Sequence, residues 1–243
     1  MDKRYIAVLD SGIGGISVLK KLEKAFPLES FLYFGDNKNA PYGNLGKQKL
    51  LTLSIHNINI LKAYPIKMIV LACNTLSVNI IKEIEDYSNL PVFGIFPPVE
   101  SCCLSGKKTL LLSTIRTSEK YLSLNNVESI GFFDLASSIE DNLFCLERVN
   151  FLSCKTNSKL DLKNCKKGQF ETIILGCTHF NFIKKQISDH FQPQNIIDGT
   201  LNLICKMQQY IKTSKSLVKT KQNQVLFVGE NAKLNKEFYV KSG

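Results

Sequence analysis

Two apolar runs in this chain stop at a cysteine and turn polar at once. In VLACNTLSV, residues 70–78, Cys73 is followed by Asn74 and Thr75; in ILGCTHFNF, residues 174–182, Cys177 is followed by Thr178 and His179. Each apolar run reads as a buried strand, and the polar residues after each cysteine open a helix. A helix start presents free backbone N–H groups and a partial positive charge. These attract a carboxylate and are expected to lower a thiol pKa from about 8.5. Asn74, Thr75 and Thr178 add side-chain hydrogen bonds. One such cysteine is either a nucleophile or a buried structural thiol. Two, each ending a strand of a different half, point to a facing pair across a cleft. A facing pair of thiols suits inversion of a stereocentre: one thiolate takes the α-proton of an amino acid while the opposite thiol delivers a proton, and the roles exchange for the mirror-image substrate. The carbanion-like transition state needs its carboxylate held by fixed donors, which two helix starts supply.

Two further polar loops follow apolar runs. DSGIGG (10–15) resembles a Gly-rich phosphate turn, but it is not G-x-G-x-x-G and lacks the Lys-Ser/Thr of a P-loop. Its glycines read as a tight turn into a helix. Asp10 either caps that helix, receives an ammonium group or modulates a nearby acid. In GDNKNAPYG (35–43), Tyr42 after Pro41 is either turn packing or a substrate contact. His56 and His190 lie inside helical patterns outside any motif and read as structural or surface residues.

The elements that must carry these loops alternate. Strands are expected at 5–10, 31–36, 67–73, 90–95, 108–114, 129–135, 172–177 and 225–230, each nearly continuous in Ile, Val, Leu and Phe, as strands buried on both faces are. Helical patterns lie at 15–25, 46–64, 76–87, 138–147, 181–191, 201–213 and 232–241. Strand alternating with helix implies parallel α/β sheets, whose ligands sit at the carboxyl ends of the strands. FGIFPPVES (93–101) reads as a boundary, because two prolines halt regular structure. The expectation is two similar parallel-sheet α/β domains facing each other across a substrate cleft. Residues 1–95 plus 200–243 form the first, carrying Asp10 and Cys73, and 96–199 the second, carrying Cys177 and His179. The segment 148–170 is polar and carries no assignment.

Composition sets the bounds. A chain of 243 residues, 44% hydrophobic and 21% charged, suits one large or two modest soluble domains. Lys and Arg exceed Asp and Glu by 31 − 21, giving +10. The lysines are spread in pairs without interleaved aromatics, which argues for a solvated surface, or a field for an acidic substrate, over a nucleic-acid face. The start, MDKRYIAVLDSG, has no signal peptide and no run reaches a membrane span, so a cytoplasmic protein without membrane attachment is expected. Eight cysteines without a C-x-x-C pair, in such a chain, read as reduced thiols.

DSGIGGISVL, GDNKNAPYG, ACNTLS and LGCTHF, in that order and spacing, resemble the glutamate racemase family of the cofactor-independent aspartate/glutamate racemase superfamily. STIRTSEKY (113–121) is similar to that family's threonine-containing segment, and the resemblance spans about residues 5 to 199. It implies a substrate held between two α/β domains, often in a homodimer, with Cys73 and Cys177 as acid/bases assisted by Asp10 and His179 respectively. It also implies substrate contacts from Asp10, Ser11, Pro41, Tyr42, Gly43, Asn74, Thr75, Thr114, Thr117, Thr178 and His179. No metal or pyridoxal phosphate is expected, and D-glutamate would feed peptidoglycan synthesis. The chain departs from the family at Asn39, where Arg is usual, at Leu76 and at Asn181. Its 135–145 segment is shortened, with Glu140 the remnant of a Pro- and Glu-containing stretch. Aspartate or another acidic amino acid remains an alternative substrate, and a basic binding protein without the chemistry an alternative class.

Overall fold

The computed structural model describes residues 4–122, 124–214 and 224–242. Parts of the expected first domain, residues 1–3, 215–223 and 243, lie outside the described residues. Five strands, β1 (Tyr5–Asp10), β2 (Phe31–Gly35), β3 (Ile66–Leu71), β4 (Val92–Gly94) and β9 (Val225–Phe227), form one sheet in the order β4-β3-β1-β2-β9. Four more, β5 (Thr109–Thr114), β6 (Val127–Phe132), β7 (Thr172–Gly176) and β8 (Asn195–Asp198), form a second in the order β6-β5-β7-β8. Every pairing is parallel. The two parallel-sheet α/β units expected from the strand–helix alternation are present. Strands β3, β5 and β7 are buried along their whole length, which is why they carry no polar/apolar alternation.

The two sheets share a topological feature that decides where a site can form. In the first, the chain leaves β1 to one side for β2 and returns to the other side for β3. In the second it leaves β5 for β6 and returns for β7. The strand order therefore reverses between β1 and β3 and between β5 and β7, and crevices open at such points. Asp10 ends β1 and Cys73 follows β3; Thr114 ends β5 and Cys177 follows β7.

Helices α1 (Gly15–Ala25), α2 (Lys47–Lys62), α3 (Asn74–Ser88), α8 (Thr200–Thr213) and α9 (Ala232–Lys241) go with the first sheet; α4 (Val99–Ser105), α5 (Ile115–Ser118), α6 (Leu135–Asp141) and α7 (Lys184–Phe191) with the second. One apolar core runs through both units. Ile13, Ile16 and Leu19 of the first belong to the same buried cluster as Phe180, Ile183 and Ile187 of the second. The helix α1 packs on the 3-10 run Thr178–Ile183.

Several expectations change. β8 goes unforeseen, because a four-residue, half-exposed edge strand leaves no pattern to read. The prolines 97 and 98 start helix α4 as well as ending β4: Pro98 is its N-cap, where a missing N–H costs nothing. Helix α6 ends at Asp141, short of the expected 147. In 148–170, Asn150 and Asp161 cap 3-10 turns at Phe151–Ser153 and Leu162–Asn164. Among the described residues, no helix is long and apolar enough to cross a membrane.

Phe180 sits at the seam, fully buried, its ring 5.6 Å from that of Phe132 at 85°. Phe180→Ala should destabilise the fold by about 3–5 kcal/mol, read as a lower urea midpoint at unchanged slope.

Candidate active site

Both cysteines are the residue that caps a helical run after a strand. Cys73, at φ −90° and ψ 118°, caps α3; Cys177, at φ −143° and ψ 133°, caps the 3-10 run Thr178–Ile183, where an α-helix was expected. Both are buried, and all eight cysteines of the chain are free. The Cys73 thiol lies 3.8 Å from Ser11 Oγ. Its acidity reverses the expectation for a helix start. Burial pushes the Cys73 thiol up to about 12, the Asp10 carboxylate adds to the rise, and the Leu76 N–H and Ser11 hydroxyl do not offset it. A helix terminus contributes about 1 kcal/mol or less in most settings, which is smaller than the cost of burying a thiolate.

The Cys177 side is built differently. His179 Nδ1 stands 3.8 Å from Cys177 Sγ, and His179 Nε2 stands 2.6 Å from Glu140 Oε1. Glu140 Oε1 also accepts from the Ile13 N–H at 3.0 Å, and its Oε2 from Asn37 Nδ2 at 3.1 Å. Burial favours the neutral imidazole, yet the hydrogen bonds to Cys177 and Glu140 outweigh it and hold His179 well above its ordinary value. Burial likewise works against ionised Glu140, but His179, Ile13 N–H and Asn37 hold it below the usual carboxylate value. The pair is a buried imidazolium–carboxylate contact.

Asp10, at the end of β1, is fully buried. Its Oδ1 accepts from the Gly12 N–H at 2.9 Å and its Oδ2 from Thr178 Oγ1 at 3.2 Å, a contact across the two units. Burial raises its carboxyl above the usual value against the pull of His179. Tyr42 Oη donates to Asp36 Oδ2 at 2.5 Å and accepts from Asn57 Nδ2 at 3.0 Å. Asn39 Nδ2 reaches both Asp36 oxygens, at 2.9 and 3.0 Å. Thr75, Thr114 and Thr117 form a hydroxyl triangle with edges of 3.0, 3.3 and 3.5 Å.

These groups close around a cavity of about 10 Å³, room for no more than about one water molecule, so the walls stand against one another. It is lined by both cysteines and by Ser11, Pro41, Tyr42, Gly43, Asn74, Thr75, Thr114, Thr178 and His179, together with Ala136, which sequence reasoning missed. Asp10 and Thr117 are not on its wall. They stand one layer back, holding Thr178 and the threonine triangle. Asn74 Oδ1 is buried without a hydrogen-bond partner, an acceptor free for a substrate ammonium. Asp36 and the positioning role of Glu140 also escaped sequence reasoning. A lone acid at the end of a strand or in a short helix carries no spacing signal, and only the family resemblance marks Glu140.

The glycines of DSGIGG serve close approach more than the turn expected of them. A Cβ on Gly12 would fall on Glu140 Oε1, and one on Gly14 would lie 2.4 Å from Thr178 Oγ1. On the neighbouring loop, one on Gly43 would lie 2.4 Å from Thr114 Cβ.

The sign of the Glu140–His179 pair gives a test. Glu140, depressed from 4.5, contributes stability above that pH and loses it as pH falls; His179, raised from 6.5, contributes fully below 6.5 and loses it as pH rises through its raised value. Glu140→Gln should therefore cost about 2 kcal/mol in urea unfolding between those two pH values and less outside them. The His179 imidazole, followed by NMR, should titrate lower in the variant.

Comparison with known proteins places this arrangement. The family model described as Asp/Glu/Hydantoin racemase matches residues 46–204. A glutamate racemase of Buchnera aphidicola subsp. Schizaphis graminum is 33% identical over 221 residues, covering 86% of this chain and 85% of the relative. One of Clostridium acetobutylicum is 34% identical over 217 residues, covering 84% and 82%. The crystal structure of Escherichia coli glutamate racemase with L-glutamate and the activator UDP-MurNAc-ala has the same fold, with a TM-score of 0.78 at 19% identity over 98% of this chain and 95% of that one.

Proposed function

The chain belongs to the Asp/Glu/Hydantoin racemase family and is an amino-acid racemase, and on that footing we propose that it interconverts L- and D-glutamate, with Cys73 and Cys177 as the two acid/bases. The observation that carries the proposal is the pair of free, buried thiols. They end strands of different sheets at equivalent reversals of strand order and line one small cavity.

The substrate's carboxylates meet hydroxyls and backbone N–H groups at the starts of the two helical runs, from Asn74, Thr75 and Thr178. Its ammonium meets Asn74 Oδ1, with the Asp10 carboxylate behind. That cation also answers the high Cys73 pKa: a positive charge entering a dry site favours the thiolate. Starting from the D-enantiomer, Cys73 removes the α-proton and Cys177 returns one to the opposite face, with His179 able to exchange a proton with Cys177. Starting from the L-enantiomer the roles reverse. The two thiols supply the acid–base work without a cofactor. A reducing cytoplasm suits eight free cysteines, and D-glutamate would supply peptidoglycan synthesis. The active species is a homodimer in this reading, to be checked by sedimentation.

Circular dichroism of L-glutamate with the purified chain should decay to zero without added cofactor. Decay with aspartate alone would move the assignment to an aspartate racemase, and none with either would favour a binding protein. In Cys73→Ser, α-proton exchange with solvent deuterium should survive from L-glutamate only. In Cys177→Ser it should survive from D-glutamate only, with racemisation down by orders of magnitude in both. Full activity in either variant would sink the two-thiol mechanism.

A further inference from the structure

We propose that Tyr33 is a positioning residue for the Cys177 face of the reaction, acting through the Gly12–Ile13 peptide group and Glu140; this rests on the two-thiol reading. Tyr33 is fully buried in the middle of β2, paired with Val8 of β1, and none of the sequence motifs includes it. Its hydroxyl donates to the Gly12 carbonyl at 2.6 Å. The other end of that same peptide group, the Ile13 N–H, donates to Glu140 Oε1 at 3.0 Å, and this oxygen also takes His179 Nε2 at 2.6 Å. His179 Nδ1 then faces Cys177. One unbroken chain of hydrogen bonds therefore runs from Tyr33 through a single amide to the thiol.

Direction and polarity both favour an effect on that thiol. A donor on an amide oxygen draws electron density from the nitrogen and strengthens its N–H, and in a dry interior such bonds reinforce one another. The hydroxyl has a geometric part as well. It pins the Gly12 carbonyl, and so turns the Ile13 N–H towards Glu140. A Cβ at Gly12 would displace the Glu140 carboxylate from the Ile13 N–H, so the glycine keeps that contact open. The Cys73 face hangs on the preceding peptide group, whose Gly12 N–H is held by Asp10 Oδ1. The two faces thus share one glycine but use different peptide groups, which makes a face-selective effect the mark of this role.

The test places Tyr33→Phe in the two single-cysteine chains and follows solvent-deuterium exchange at the α-carbon by NMR. In Cys73→Ser, where Cys177 is the remaining base, exchange from L-glutamate should fall about tenfold, the worth of one buried hydrogen bond. In Cys177→Ser, exchange from D-glutamate should change by less than about twofold. With Glu140→Ala already present, Tyr33→Phe should add little, because the acceptor it acts through is gone. Equal losses on both faces would show that Tyr33 merely props the loop, and no loss on either would overturn the proposal outright. Should the Phe variant fail to fold, 3-fluorotyrosine at position 33 keeps the ring and sharpens the donor. It must alter the Cys177 face alone, and an equal or absent effect overturns the role. The two parent single-cysteine chains test the underlying reading first: if they do not differ in which enantiomer they exchange, the two-thiol mechanism fails independently of Tyr33.

Discussion

Gly12, Gly14 and Gly43 bring the backbone of one sheet's loops against side chains of the other at distances no Cβ would allow. That close approach is the constraint on which the site depends. It lets Glu140, from the second unit, accept a backbone N–H of the first, and lets Thr178 reach Asp10. Each of these bonds crosses the seam, and the shared apolar core of Ile13, Ile16, Phe180 and Ile183 lies beneath them. Separating the units would expose that core and break the Ile13–Glu140 and Thr178–Asp10 hydrogen bonds, so the seam resists opening from both its apolar and its polar side. The wall of the cavity is correspondingly preorganised.

The cost of such a dry site falls on its charges. Asp10 and Cys73 are both driven towards their neutral forms by burial, while Glu140 and His179 stay charged because they hold each other, with Cys177 supporting the imidazolium and Ile13 N–H and Asn37 the carboxylate. In the proposed binding mode a substrate ammonium would compensate the acids, and its carboxylates the imidazole and the helix starts.

Symmetry between the units is topological and stops at the chemistry. Each cysteine follows the strand that returns beside the first strand of its sheet, yet Cys73 has Ser11 and Asp10 nearby and Cys177 has His179 backed by Glu140. Interconversion of mirror images has an equilibrium constant of one, so in the proposed two-thiol reaction kcat/KM is equal in the two directions however unlike the surroundings of the two thiols are. Their differences can appear only in the individual kcat and KM values and in exchange confined to one face.

Most of the residues that touch the cavity were legible in the sequence because they sit where an apolar run stops, and a polar residue at that break has no packing reason to be there; Ala136 carries no such signal. Cys73, Asn74, Thr75, Cys177, Thr178 and His179 are all of this kind, as is Ser11. The parallel-sheet class was legible for the same reason: doubly buried strands must be continuously apolar. Tertiary structure alone decided the rest. Whether a thiol at a helix start is acidic depends on how much of its surroundings is dry, and burial is a property of the assembled fold. The partners Asp36, Glu140 and Tyr33 lie 6, 39 and 21 positions from the groups they serve, at Tyr42, His179 and Gly12, so no local spacing marks them. The glycines could be seen, but what presses against each could not, because Glu140, Thr178 and Thr114 arrive from the other unit. Local sequence sets where a strand ends and which side chains stand there. The distances between such ends, and the pKa values that follow from them, are set only when the two sheets close on one another.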